Sequence, residues 1–167
     1  MPRPPSRPSN WLDEPLRRTP QWVSLYPVVS PGVVLLAQTK REQRWHAPRL
    51  QGAERVPHYV TGWLVCRRLL GTEPAHLDLA NLYEEEGVHH AAFTVTVAPG
   101  TTSHVPGLTL EPFDVDRLDP NTFPEDRTAI ASEVGALIRG QVAPFARYDH
   151  SNVLEYASRY ATAGRNT

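Results

Sequence analysis

Apolar positions in this chain recur in short alternating or continuous runs over much of its length, and at helical spacing in three stretches. Residues 21–37, QWVSLYPVVSPGVVLLA, read as two β-segments around the turn-forming Ser30, Pro31 and Gly32. The second segment is apolar at every position from 33 to 36, as in a strand buried on both faces. Residues 76–83 alternate around Leu77, Leu79 and Leu82, with period 2 through the first half. Residues 88–97 are rich in β-branched side chains, and Phe93, Val95 and Val97 share a face. Glu84, Glu85, Glu86 and Gly87 make a turn between these runs, so the pair reads as a hairpin. Residues 99–107 are a loop and 108–113 a further strand.

The first helical stretch is 57–70. Pro57 suits the first helical position, where no backbone N–H is needed, and Gly71 the left-handed position past the end. Val60, Trp63, Leu64 and Leu70 form its apolar face, and Arg67 and Arg68 sit in the last turn, where the dipole favours cations. The second stretch is 122–140, opened by Pro124 and buried through Ile130, Val134, Leu137 and Ile138. The third is 150–163, capped by Asp149 or Ser151, with Val153, Leu154, Ala157, Tyr160 and Ala161 on one face and Gly164 at its end. Residues 39–44, TKREQR, read as a solvated turn before Trp45 re-enters the core, and 51–56 read as a loop. Residues 1–20 form a Pro/Arg-rich arm, extended because proline disfavours helix. It is a loosely ordered tail, or a docking arm anchored by Trp11, Leu12 and Leu16. The remainder, 21–167, reads as a single domain without internal repeats.

Composition narrows the class. The chain has 167 residues and 40% hydrophobic content, enough for a sizeable core. A net charge of -1 argues against a surface built generally for nucleic acid. Cys66 is the only cysteine, which points away from a disulfide framework and towards a reducing compartment. No apolar run approaches a membrane span, and the N-terminus has no apolar signal core. The expected location is cytoplasmic, with no membrane partner.

Residues 45–71, WHAPRLQGAERVPHYVTGWLVCRRLLG, carry a specific resemblance. A Trp-x-x-Pro turn follows an apolar strand, and a helix ending in glycine follows the turn. This resembles the Nudix family, in which Trp-x-x-Pro-Gly-Gly leads into the box G-x5-E-x7-R-E-U-x-E-E-x-G-U, U being a bulky aliphatic residue. With Trp45 and Pro48 on the family's Trp and Pro, Gly71 falls on the last glycine of the box without a gap. In that register Arg49 and Leu50 replace the two glycines, and Val56 the first glutamate. Leu64 and Val65 replace Arg-Glu, Cys66 the first aliphatic residue, Arg68 and Leu69 the Glu-Glu pair, and Thr72 the last aliphatic residue. Sliding the box by two residues, to start at Gly52, puts His58, Cys66, Arg67, Leu70 and Gly71 on the functional positions and restores no acid. The resemblance implies a Nudix-like α/β/α sandwich around a mixed β-sheet, spanning about 21–140, with an extra C-terminal helix.

The family's box helix gathers carboxylates to hold magnesium against a diphosphate. Magnesium takes hard oxygen ligands, and the hydrolysis needs a group to position or deprotonate water. Residues 57–70 contain no Asp or Glu. The resemblance therefore implies no catalytic residue and no metal ligand in the box. No Gly-rich phosphate loop, G-x-S-x-G elbow or zinc-ligand spacing is present elsewhere, so no cofactor is expected. His89 and His90 are adjacent, so on a strand they point to opposite faces. Buried Cys66 reads as structural. Arg49, Arg67, Arg68 and His58 are the candidate ligand-binding residues, a basic cleft suited to phosphate or carboxylate.

The leading expectation is a catalytically inactive Nudix-like module that binds a nucleotide-like anion or a protein. The arm and the last helix are its candidate protein-binding surfaces, and a homodimer is one form of such contact. One alternative is a divergent hydrolase of nucleoside-diphosphate-linked compounds, its metal held by Glu54, Glu84, Glu85 or Glu86. Another is a structural subunit of a larger assembly, which would expose a large apolar patch.

Overall fold

The computed structural model describes residues 21–41, 43–53, 56–85, 87–118 and 133–165. The arm at 1–20 and the opening of the helix expected over 122–140 lie outside them. Seven strands form one sheet among the described residues, in the order β6-β2-β1-β5-β4-β7, with β3 also paired to β1. They are β1 (Gln21–Ser30), β2 (Val33–Thr39), β3 (Arg49–Gly52), β4 (His76–Glu85), β5 (Val88–Thr96), β6 (Leu108–Asp114) and β7 (Ala146–Asp149). The sheet is mixed, as expected: β1 runs parallel to β5 and the other pairings are antiparallel.

Strand β1 is the hub. One edge pairs with β5 from Gln21 opposite His89 to Val28 opposite Thr96. The other edge is shared, with β3 along Gln21 to Ser24 and β2 at Val28 and Ser30. The sharing explains how a proline sits inside this strand. Leu25 donates its N–H to Pro48 O at 2.8 Å, on the edge away from β5. By the two-residue period, Pro27 faces that same edge, between β3 and β2, where its missing N–H interrupts no ladder.

Side-chain alternation divides the core between the two faces. Val23, Leu25, Phe93 and Val95 meet Trp63, Val65, Cys66 and Leu70 on one side. Tyr26, Leu36, Ala80 and Ala92 meet Val134 and Ile138 on the other. The first side is covered by α1 (His58–Val65) and by a π-helical turn (Cys66–Leu70), the second by α2 (Glu133–Ile138). Gly62 lets α1 approach closely, since a Cβ there would lie 3.2 Å from Leu77 and 3.3 Å from Phe93. No helix among the described residues is long and apolar enough to cross a membrane.

Several sequence expectations shift. Pro57 stands just before α1, not inside it: its ψ of 147° is extended, and its carbonyl accepts from the N–H groups of Val60 and Thr61. Residues 49–52, expected to lie in or beside a loop, form β3 because β1 offers them an open edge. Strand β7 was not anticipated at all. It is held to β4 by pairing and by Arg147, which donates to Asp78 Oδ1 at 2.7 Å and to Oδ2 at 3.1 Å. A β-bulge between Leu79 and Asn81 breaks the alternation of β4 where the sequence pattern also loses it.

The last helix, α3 (His150–Arg165), starts as the sequence implies. Asp149 accepts the Ser151 N–H at 2.9 Å and bonds the Ser151 hydroxyl, and Asn152 Oδ1 accepts the Asp149 N–H at 2.9 Å. This reciprocal arrangement satisfies end groups as a capping box does. Its buried face differs from the expected one. Val153 and Tyr156 are half-buried, whereas Leu154 is 56% exposed and Ala157 is also exposed. At its start the helix meets α1 where Trp63 lies 5.5 Å from His150, and just before it Tyr148 of β7 stacks on Tyr59 at 4.5 Å between centroids. Shape at that contact, more than helical periodicity, decides which residues are covered.

Candidate functional site

The stretch from Trp45 to Glu73 is stitched into the sheet before the helix begins. Trp45 packs on Phe113 at 5.1 Å, and His46 exchanges both backbone hydrogen bonds with Ala37. Arg49 lies opposite Ser24, so its side chain shares the face of Trp22 and Tyr26, away from α1. Its guanidinium sits 4.8 Å from the Trp22 ring centroid, a cation–π contact.

His58 opens α1 and is only 5% exposed. Burial first, and then the neighbouring His89, push its pKa down to about 4, so it is neutral at pH 7. His89 thus lies on the α1 side, whereas His90, opposite Trp22, lies on the other, as adjacency on a strand requires. Further along, Val65 and Cys66 are fully buried against the sheet. Burial pushes the Cys66 thiol up to about 12, which keeps it protonated and unreactive, as read from its place in the helix.

The helix then widens. Gly71 donates its N–H to Cys66 O across five residues, closing the π-helical turn. Leu70 is buried, Leu69 half-buried, and Arg67 and Arg68 are exposed. Arg67 lies 3.5 Å from Glu73 in an exposed ion pair. Gly71 adopts φ 65°, the left-handed conformation expected of it. The loop over 99–107 comes down on this end: His104 donates its N–H to Leu69 O at 2.9 Å, and its ring lies where a Gly71 side chain would be. Nothing in the local sequence signals the place of His104 at the helix end.

Of the four candidate ligand-binding residues, Arg67 and Arg68 stand together. His58 is nine positions before Arg67, roughly 13 Å back along the helix axis. Arg49 faces the other side of the sheet. His46, His58 and His104 each belong to a different local neighbourhood. Among the described residues, no three His, Cys, Asp or Glu side chains are placed to hold a metal ion. The residues of α1 and the π-helical turn supply no carboxylate, so this helix does not fit the magnesium ion that the resemblance implies. Glu54, Glu86 and the side chains of Glu84 and Glu85 lie outside the described residues.

No family model and no curated protein sequence matches the chain. Solved structures do match. A MutT structure, from work on the proteins of Aliivibrio salmonicida and Vibrio cholerae, superposes with a TM-score of 0.54 at 10% identity, covering 75% of this chain and 100% of that one. The Escherichia coli ORF135 protein gives 0.53 at 16% identity, covering 72% and 92%. A UDP-X diphosphatase gives 0.54 at 12% identity, covering 76% and 66%. These neighbours are Nudix hydrolases, and the chain has a Nudix-like α/β fold. At such identities the likeness extends to the fold alone.

Proposed function

We propose that this chain is a Nudix-fold domain that does not carry out metal-dependent hydrolysis and instead serves as a binding module for a protein partner. One observation carries the reading. In the register set by Trp45, Pro48 and Gly71, the positions that would hold the metal carry Val65, Arg68 and Leu69. Val65 is 0% exposed and packed against the sheet, Leu69 is half-buried in the same core, and Arg68 brings a positive charge. A magnesium ion at this helix would meet hydrocarbon and a cation.

A protein partner is favoured over a nucleotide-like anion because the candidate cations are dispersed. His58 is neutral at pH 7, and Arg49, engaged with Trp22, faces the other side of the sheet from Arg67 and Arg68. A compact phosphate would need several of them to converge on one point.

The test is hydrolysis of a panel of nucleoside-diphosphate derivatives by the purified chain, with magnesium and with manganese. The expected outcome is no turnover in protein that melts cooperatively. Turnover that a chelator abolishes, and that Glu54→Gln or Glu85→Gln removes, would overturn the proposal and reveal a relocated metal site.

A further inference from the structure

We infer that three exposed segments, the turn after β2, the loop before β6 and the end of the π-helical turn, form one basic rim that docks an acidic segment of a partner protein. The inference names the partner for the binding-module reading and rests on it.

The backbone joins these segments. Thr39 ends β2 opposite Leu108, and the exposed Lys40, Arg41 and Arg44 follow in the turn. Leu108 donates its N–H to Val105 O at 3.2 Å, and His104 donates to Leu69 O at 2.9 Å beside exposed Arg67 and Arg68. Lys40, Arg41 and Arg44 of the turn and Arg67 and Arg68 of the helix end are thereby tied to the two ends of one stretch, 104–108. The loop that links them is braced: Val105 N–H bonds Ser103 Oγ at 3.0 Å, and the His104 ring rests on Gly71. A surface held in place in this way loses little freedom on binding.

Charge sets the rim apart. Arg117, Arg139, Arg147 and Arg159 each face a carboxylate of their own. Among the described residues, Lys40, Arg41, Arg44 and Arg68 have no carboxylate within ion-pair distance. Arg67 has Glu73 at 3.5 Å, a pair so exposed that competing carboxylates can displace it. Among the described residues of these segments, five full positive charges thus stand against Glu73 alone, in a chain whose net charge is -1. Arginine's planar fork suits carboxylates bidentately.

The form of the rim selects the partner. Its charges are spread along a surface and all exposed, which fits an extended acidic chain better than a compact anion. At its centre Val105 is 36% exposed, one of two large apolar side chains exposed among the described residues. That suits a peptide with an apolar side chain among its acids. Single-stranded nucleic acid would need ring faces for its bases to stack on. Every Trp, Tyr and Phe whose side chain is described is buried or half-buried, and Trp45, beside Arg44, is turned onto Phe113.

The experiment is fluorescence anisotropy of a labelled peptide of Glu-Glu-Leu repeats, about twelve residues and about 40 Å long when extended, titrated with the full chain. Saturable binding is expected, weakening about tenfold between about 50 mM and about 300 mM salt. Arg41→Glu and Arg68→Glu are each expected to weaken it about fivefold or more. Arg117→Glu makes the same charge change at the far end of β6 and should leave it within about twofold. Absence of saturable binding at low salt would overturn the inference, as would equal weakening by Arg117→Glu. So would a single-stranded oligonucleotide that binds more tightly than the peptide and is lost in the same variants. Binding is read here and turnover in the hydrolysis panel, so the two proposals fail separately.

Discussion

Gly71 meets two demands at once. Its φ of 65° is a conformation that costs an L-residue with a Cβ about 1–2 kcal/mol. A Cβ would also fall within contact of the His104 ring, although that ring can swing aside. Gly71→Ala is therefore expected to lose about 1–2 kcal/mol in urea unfolding, mostly through the backbone. Gly71→Asn should lose less, because asparagine tolerates the left-handed region. Equal stability of Gly71→Ala and the parent would contradict the backbone account. His58 makes a prediction in pH. Its folded pKa, about 4, lies below the ordinary 6.5, so between these values the unfolded chain binds more protons than the folded one. Its effect is thus absent above about pH 6.5, and stability falls as pH drops towards 4, by about 3 kcal/mol in all. Urea unfolding from pH 8 to pH 4 should show this slope, and His58→Gln should flatten it. An unchanged slope in His58→Gln would assign the acid sensitivity to other groups.

At the scale of elements, α3 separates what periodicity can foretell from what it cannot. The sequence placed Val153, Leu154 and Ala157 on one buried face. Contact with α1 instead covers Val153 and Tyr156 and leaves Leu154 in water. Tyr59 feels this docking directly: burial raises its pKa first, and Glu155 adds to the shift. Leu154→Ser is expected to stay within about 0.5 kcal/mol of the parent in thermal unfolding. Val153→Asp should cost about 2 kcal/mol and open α3 to limited proteolysis. The reverse order would mean that α3 presents its other face to the domain. The π-helical turn escapes sequence reading for a related reason. Residues 57–70 have helix formers and end signals throughout, but whether a turn widens depends on the sheet and the 99–107 loop against which it must fit.

For the molecule as a whole, the box positions have passed from chemistry to packing. Val65→Glu would place a carboxylate where the resemblance has one, yet that position is now core. The expected result is a loss of about 3 kcal/mol or more in stability, with no recovery on adding magnesium. Arg68→Glu, on the surface, should stay within about 0.5 kcal/mol. Thermal melts with and without magnesium read both, and a magnesium-dependent rise in the melting temperature of Val65→Glu would show that the position still faces a metal-accessible pocket.

Much of this architecture was legible in the chain. The apolar run before Gln38, the Trp45–Pro48 turn, the hairpin of 76–97 and the glycine at 71 are local signals, each acting through nearest-neighbour sterics and periodicity. The turn and the glycine carry the Nudix resemblance, and it was that resemblance which implied the fold. The short strands β3 and β7 were not legible, because a four-residue strand is made by the edge it meets and has little preference of its own. The same limit applied to the site. Sequence alone determined that the box helix carries no carboxylate and ends in two arginines. Only the tertiary structure decided that Arg49 and His58 part company with that pair, and that His104 comes to lie beside it. Composition is carried by each residue, whereas proximity between residues distant in sequence is created by strand register and by the loop that crosses Gly71.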